Sequence, residues 1–200
     1  MGSALRGRVV LFVVLARGPL IPPDPPLSDG EVVLRMRRAA DVPLIAEASS
    51  DAETQRRMDD EPLTPDRGRD SVARAEEQWR TGGGAPFVIA DAADDRPLGL
   101  LNMQFGEDEE VGGFAISVFP QARGRGVAAK ALRLAATWGL RELGLHRVFA
   151  EAAADNHASI RVIEKAGFQR EGVLRAHCKT HGRRHDCVMF SLLPQDIDPR

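Results

Sequence analysis

The chain has 200 residues, 43% of them hydrophobic, and a formal net charge of −2 from 27 Lys and Arg against 29 Asp and Glu. That length and mix suit one folded domain with a buried core. The near-neutral balance argues against a general nucleic-acid binder, which carries a basic face. No apolar run approaches the roughly 20 residues needed to span a bilayer.

At the N-terminus, Arg6 and Arg8 precede an apolar run from Val9 to Ala16 that mimics a secretion signal. Arg17 follows at once, however, and no A-x-A cleavage site appears. Residues 1–26 read as an extension: an edge strand or loose tail, then the stiff connector "PLIPPDPP". The folded domain is expected over 27–197.

"EVVLRMR" alternates from Glu31 to Arg37 and predicts a strand. Asp41 is a candidate N-cap for a helix through "VPLIAEASS", with Pro43 in its first turn. Thr64 and Pro65 open a second helix, on which Val72, Ala75 and Trp79 share a face before "TGGG" ends it. "PFVIADA" and "PLGLLNMQF" predict a hairpin turning at "ADDR", and the acidic turn "GEDEE" leads into a strand "VGGFAISV".

A helix follows from about Gly126 to Glu142, with Lys130, Arg133, Thr137 and Arg141 on one stripe and a core face opposite. "HRVFAEAAA" is a strand, "ASIRVIEKAG" a short helix stopped by Gly167, and "GVLRAHC" with "HDCVMFSLL" a final hairpin. The order βααβββαβαββ gives a mixed α/β sheet with hairpins at both ends and one strand-helix-strand crossover.

The junction "QARGRG" between the strand "AISV" and its helix carries the chemistry. A helix N-terminus presents unpaired amides and the positive end of the helix dipole. Gly124 and Gly126 let backbone approach an anion closely, and Arg123 and Arg125 add positive charge, so the junction suits a phosphate or diphosphate. "GRGVAA" also fits the dinucleotide fingerprint G-x-G-x-x-A, with Glu151 on the next strand as a ribose-binding acid. A dinucleotide fold needs several parallel βα units, whereas hairpins precede this loop. A P-loop fits worse, because no G-K-[ST] occurs.

With Gln121 the loop reads Q-x-x-G-x-G, and it resembles the diphosphate loop of the GNAT N-acetyltransferases. The downstream "DNHASIRVIEKAGFQREGVLR" resembles that superfamily's branch of ribosomal-protein N-terminal acetyltransferases, the Rim type. The matching residues are Asn156, Ser159, Gly167–Phe168 and Glu171–Gly172, and "DGEVVLRMRRAADVP" resembles the branch's opening. The likeness runs in order from about Leu27 to Leu193.

The resemblance implies a mostly antiparallel sheet splayed into a V, flanking helices, and acetyl-CoA as acetyl donor. It implies that Ile116, Ser117 and Val118 pair with the pantetheine arm. Gln121 and the loop from Arg123 through Gly124, Arg125, Gly126, Val127 and Ala128 would hold the diphosphate, and Asn156 would bind the arm from the other side. Glu151, five residues before Asn156, takes the position of a general base, and Ser159 that of a group assisting the leaving thiolate. The tyrosine that many relatives use as acid is absent: its position is Ile163, and the chain has no tyrosine.

On these grounds the expected reaction is acetyl transfer to a primary amine, foremost a protein or peptide N-terminus. An acceptor such as an aminoglycoside or polyamine, and a non-catalytic acyl-CoA sensor, stand as alternatives. A nicotinamide-linked oxidoreductase is disfavoured by the element order.

Asn156 and Ser159 would serve equally as helix caps, and "GEDEE" as a solvated turn or a lure for a cationic amine. Cys178 and Cys187 have no common metal spacing and read as buried or idle thiols in a reducing cytoplasm. His177, His181 and His185 crowd the same hairpin. No metal, nucleic acid or membrane is expected, and a homodimer is left open.

Overall fold

The computed structural model describes residues 18–58, 61–106, 108 and 110–197. The strand or tail expected over residues 1–17 lies outside them. Among the described residues, eight strands form one sheet in the order β1-β2-β3-β4-β5-β6-β8-β7. These are β1 (Leu27–Ser28), β2 (Val32–Arg35), β3 (Gly84–Asp91), β4 (Pro97–Phe105), β5 (Val111–Val118), β6 (Arg147–Ala153), β7 (Gln169–Thr180) and β8 (Arg183–Leu192). Every neighbouring pair is antiparallel except β5 with β6. Six α-helices among the described residues accompany the sheet: α1 (Val42–Ser49), α2 (Ala52–Arg57), α3 (Pro65–Thr81), α4 (Val127–Arg141), α5 (His157–Lys165) and α6 (Pro194–Ile197). The expected order is present, with β1, α2 and α6 added. No helix among the described residues is long and apolar enough to cross a membrane.

Local chemistry explains the main elements. Thr64 caps α3 by accepting from the Arg67 amide, and the helix stops at Gly82, whose φ of 73° is left-handed. Trp79 at its inner end donates from Nε1 to the carbonyl of Pro86 at 3.1 Å, and its ring meets Phe87 edge-on at 5.1 Å. Trp138 of α4 closes the aromatic cluster. The predicted core face of α4 is buried at Ala131, Leu132, Ala135 and Ala136, while Arg133 and Arg141 are exposed. Seven of the eight residues of β3 are buried, as a central strand covered on both faces requires.

Asp41 precedes α1, but its side chain does not cap that helix. It lies buried instead, accepting from Nη1 and Nη2 of Arg35, each at 2.9 Å, and from the Arg38 amide at 2.7 Å. The buried Arg35 needs that carboxylate more than a helix end near solvent does.

The final hairpin corrects the expectation of idle thiols: Cys178 and Cys187 form a disulfide. The β7–β8 register jumps between Leu174 and Cys178, bulging Arg175, Ala176 and His177 out of the ladder. That bulge sets the two Cα atoms 5.8 Å apart, within bridging range.

Candidate active site

Strands β5 and β6 pair in parallel only from Val111–Arg147 to Phe114–Ala150. Beyond that point the two no longer pair with each other, β5 continuing through Ala115–Val118 against β4 and β6 through Glu151–Ala153 against β8, and the sheet opens between them. The Phe149 ring lies across Gly113, where a Cβ would approach it at 2.6 Å, so any larger residue at the apex of the opening would displace that ring. Past the apex, Ile116, Ser117 and Val118 pair with β4 on one edge and leave the other edge facing the gap.

After Val118 a short 3-10 turn (Pro120–Ala122) carries the chain to the N-terminus of α4. Gly124 and Gly126 take φ of 75° and 80°, the left-handed region that favours glycine. A Cβ on Gly124 would meet nothing within 4 Å, so the loop is open where the glycines lie. The amides of Gly124, Arg125 and Gly126 have no acceptor among the described residues. The first turn of α4 leaves those of Val127 and Ala128 without intrahelical partners as well. The result is a fan of amide donors at the positive end of a 15-residue helix.

This fan forms one wall of a cavity of about 650 Å³. Ile116, Ser117, Val118, Arg123, Gly124, Gly126, Val127, Ala128, Asn156 and Ser159 all line it. Two of the expected residues do not: Gln121 is exposed in the 3-10 turn, and Arg125 points its guanidinium to within 3.6 Å of Asp91. Arg123 lines the cavity differently from expectation. Its amide donates to the Pro120 carbonyl, and its guanidinium reaches across the mouth to Asp51 at 2.6 Å, Thr54 at 2.9 Å and the Val118 carbonyl at 3.3 Å. That hydrogen bond holds the Asp51 carboxyl below the usual carboxylate range.

A second cavity, of about 820 Å³, lies on the other side of the opening, between α2, the end of β6 and the β7–β8 hairpin. Glu151, Asp155, Lys179, His181, Arg183 and His185 line it. Arg57, Asn156 and Ser159 line both cavities, so the two spaces meet at the start of α5. There Asn156 caps α5 through Oδ1, accepting from the Ser159 amide at 3.1 Å. Its amide nitrogen and the Ser159 hydroxyl have no hydrogen-bond partner among the described residues, so capping leaves both available.

Glu151 extends into the second cavity with His177 Nε2 3.2 Å from Oε2 and Cys178 Sγ 3.9 Å from Oε1. The bulge in β7 is what turns His177 toward it. Glu151 and the two cysteine sulfurs sit within 4.8 Å of one another. With the sulfurs bonded to each other, neither is left there as a thiolate ligand for a metal.

Helix α2 is the part of the site that sequence reading missed, along with Lys165, Arg161 and Arg57. None of its six residues is buried, so no apolar period marks it. The legible signal was Asp51 three residues before Thr54: Asp51 Oδ2 accepts the Thr54 amide at 2.9 Å as an N-cap. The acidic turn before β5, by contrast, sits at the wrong end of the strand. Glu110 pairs with His146 there, and seven strand steps of about 3.3 Å put Val111 about 23 Å from Val118.

The family model described as Acetyltransferase (GNAT) domain matches residues 31–169. Among curated relatives, the chain is 34% identical over 112 residues to the probable N-acetyltransferase YjcK of Bacillus subtilis, covering 55% of this chain and 62% of YjcK. It is 28% identical over 169 residues to the uncharacterized N-acetyltransferase p20 of Bacillus licheniformis, covering 82% of this chain and 94% of p20. The chain thus spans less than two thirds of YjcK but nearly all of p20. Among solved structures, Mycobacterium smegmatis RimJ in complex with CoA-disulfide superposes with a TM-score of 0.76 at 20% identity, over 88% of each chain. With a splayed sheet, an amide-lined loop at the gap and a family match over most of its length, the chain belongs to the GNAT acetyltransferase family.

Proposed function

We propose that the protein transfers the acetyl group of acetyl-CoA to a primary amine, foremost the N-terminus of a protein or peptide, in a ternary complex. The observation that carries this is the meeting of two cavities at Asn156 and Ser159, one walled by unpaired amides and the other holding Glu151. A coenzyme needs the first and an acceptor amine the second, with the reacting atoms at the junction. The CoA complex of the fold neighbour RimJ supports the same donor.

Residues of the first cavity fit coenzyme A on their own chemistry. The amides of Gly124 to Ala128 face an open cradle that suits a diphosphate, and Lys165 and Arg161 line the same cavity as cations for phosphate oxygens. The free edge of Ile116–Val118 offers peptide groups to the amides of the pantetheine arm, as an added strand would. Asn156 Nδ2 donates from the opposite side. Arg123, bridging to α2, closes the mouth over the loop. Bound there, acetyl-CoA supplies an acetyl thioester.

The acceptor amine must attack as the free base. An α-amine has a pKa of about 7.7–8.0, so deprotonation at pH 7 costs about 1 kcal/mol, against nearly 5 for a lysine at about 10.4. A carboxylate acting through water meets the smaller demand, and Glu151 takes that proton while His177 holds its second oxygen. In the transfer the N–C bond forms, the C–S bond breaks, and the electron pair leaves with sulfur. A thiol's pKa of about 8.5 makes thiolate a fair leaving group. Ser159, with its hydroxyl unengaged at the junction, donates a hydrogen bond to it in place of the absent tyrosine.

The test is release of free thiol from acetyl-CoA in the presence of an acceptor panel: peptides with free N-termini, the same peptides N-terminally blocked, and polyamines. Release that requires a free N-terminus is the expected result. Tight CoA binding without turnover on any acceptor would overturn the transfer reading in favour of an acyl-CoA sensor.

A further inference from the structure

The β7–β8 hairpin differs in charge from the rest of the chain. Between Val173 and Asp186 it carries Arg175, Lys179, Arg183 and Arg184 against the single Asp186, with three of the five histidines, in a protein of net charge −2. This basic arm is one wall of the second cavity, and Lys179, His181, Arg183 and His185 face into it.

Cations on the opposite wall are compensated: Arg56 and Arg57 of α2 both pair with Glu53, and Arg57 also with Asp155. The hairpin's are not. Lys179 and Arg183 are exposed and have no carboxylate partner among the described residues. Of the cavity's carboxylates, Asp155 meets Arg57 and Glu151 meets His177. Uncompensated positive charge therefore lies beside the proposed base. Cys178, whose sulfur is 3.9 Å from Glu151, is followed in the chain by Lys179.

We infer that the acceptor is an acidic one: a polypeptide N-terminus with Asp or Glu in the positions just after the reactive amine. This rests on the acetyl-transfer reading and sharpens it. With the amine at Glu151, the following residues run along the hairpin wall, where Lys179 and Arg183 line the same cavity and alternate side chains of an extended peptide face one side. Carboxylates there gain charge-assisted hydrogen bonds. A polyamine or a lysine-rich peptide meets like charge instead. The acidic turn before β5, which would attract cations, is at the far end of the strand and does not compete.

The experiment compares two peptides with the same N-terminal residue, one with acidic residues and one with lysines at positions two to four, together with spermidine. The enzymes are the wild-type chain and a K179E/R183E double variant, both substitutions being at exposed positions. Wild type is expected to favour the acidic peptide in kcat/KM by at least about tenfold, a margin that narrows as salt screens the charges. The double variant is expected to reverse the order. Equal or better turnover of the lysine peptide or of spermidine by wild type overturns the inference while leaving acetyl transfer intact. If no acceptor is turned over, the transfer reading fails. Titration of the two N-acetylated peptides into the protein with CoA then decides the inference alone, and equal Kd values for the pair overturn it.

Discussion

Replacing Gly124 with glutamate tests the proposed diphosphate cradle separately from the fold that builds it. Gly124 has a φ of 75°, so any L-residue there adopts a left-handed conformation at a cost of about 1–2 kcal/mol. No steric term adds to this, because a Cβ at that position meets nothing within 4 Å. For a chain of this size a loss of about 1 kcal/mol lowers Tm by about 2–4 °C. The effect on the ligand is larger. A carboxylate about 5 Å from one phosphate charge, at an effective dielectric of about 20, is repelled by about 3 kcal/mol. That weakens CoA binding by roughly 200-fold, since each 1.4 kcal/mol is tenfold. Gly124→Ala carries the same backbone strain without the charge and is expected to stay within about tenfold of wild type. Calorimetric titration of CoA into the three proteins, with Tm measured in parallel, reads both terms. A folded Gly124→Glu protein binding CoA within about threefold of wild type would refute the assignment of the loop.

Further outcomes follow from the same contacts. Glu151→Gln should slow turnover at pH 7 by about a hundredfold, the scale of a lost general base, and recover part of that rate as pH rises past the acceptor amine's own pKa; a flat ratio to wild type from pH 6 to about 9.5 would remove it from that role. Asp41→Ala leaves the Arg35 guanidinium, 5% exposed, with only the half-exposed Asp95 as carboxylate partner, and should destabilise the fold by about 3–5 kcal/mol in chemical denaturation. Glu171 accepts both Arg147 nitrogens and the Ser191 hydroxyl, Arg147 first among the causes, which holds its pKa down to about 2 from 4.5. Because the folded value is the lower one, the stabilisation is complete above about pH 4.5 and fades as pH falls toward 2. Its carboxylate is 40% exposed, so solvent screening reduces the contribution to about 1 kcal/mol, and Glu171→Gln should lie that far below wild type at pH 6 and converge with it near pH 2.

Residues whose role is set by their immediate neighbours in sequence were readable in advance. The face of α4, the glycines at its mouth, the cap of α3 at Thr64 and the strand carrying Glu151 all depend on spacing within one segment. Contacts made between distant segments were not. The 175–177 bulge that presents His177 exists only because of where β8 pairs with β7, and the disulfide follows from the same register. Asp41 looked like a cap because nothing local reveals that Arg35 will be buried beside it. Arg123 looked free for the ligand because its partners, Asp51 and Thr54, are some 70 residues earlier. Helix α2 was silent for a related reason: a six-residue helix that buries none of its side chains leaves no hydrophobic imprint.

That same helix borders both cavities. Its ties to the body include Arg123 to Asp51 and Thr54, Arg57 to Asp155, and the Gln55 carbonyl to His181 at the hairpin tip. Exposed polar ties of this kind contribute about 0–1 kcal/mol each, far less than a buried apolar face would. One six-residue helix held mainly by polar contacts thus walls both cavities, so any change in its position would reshape the two spaces together.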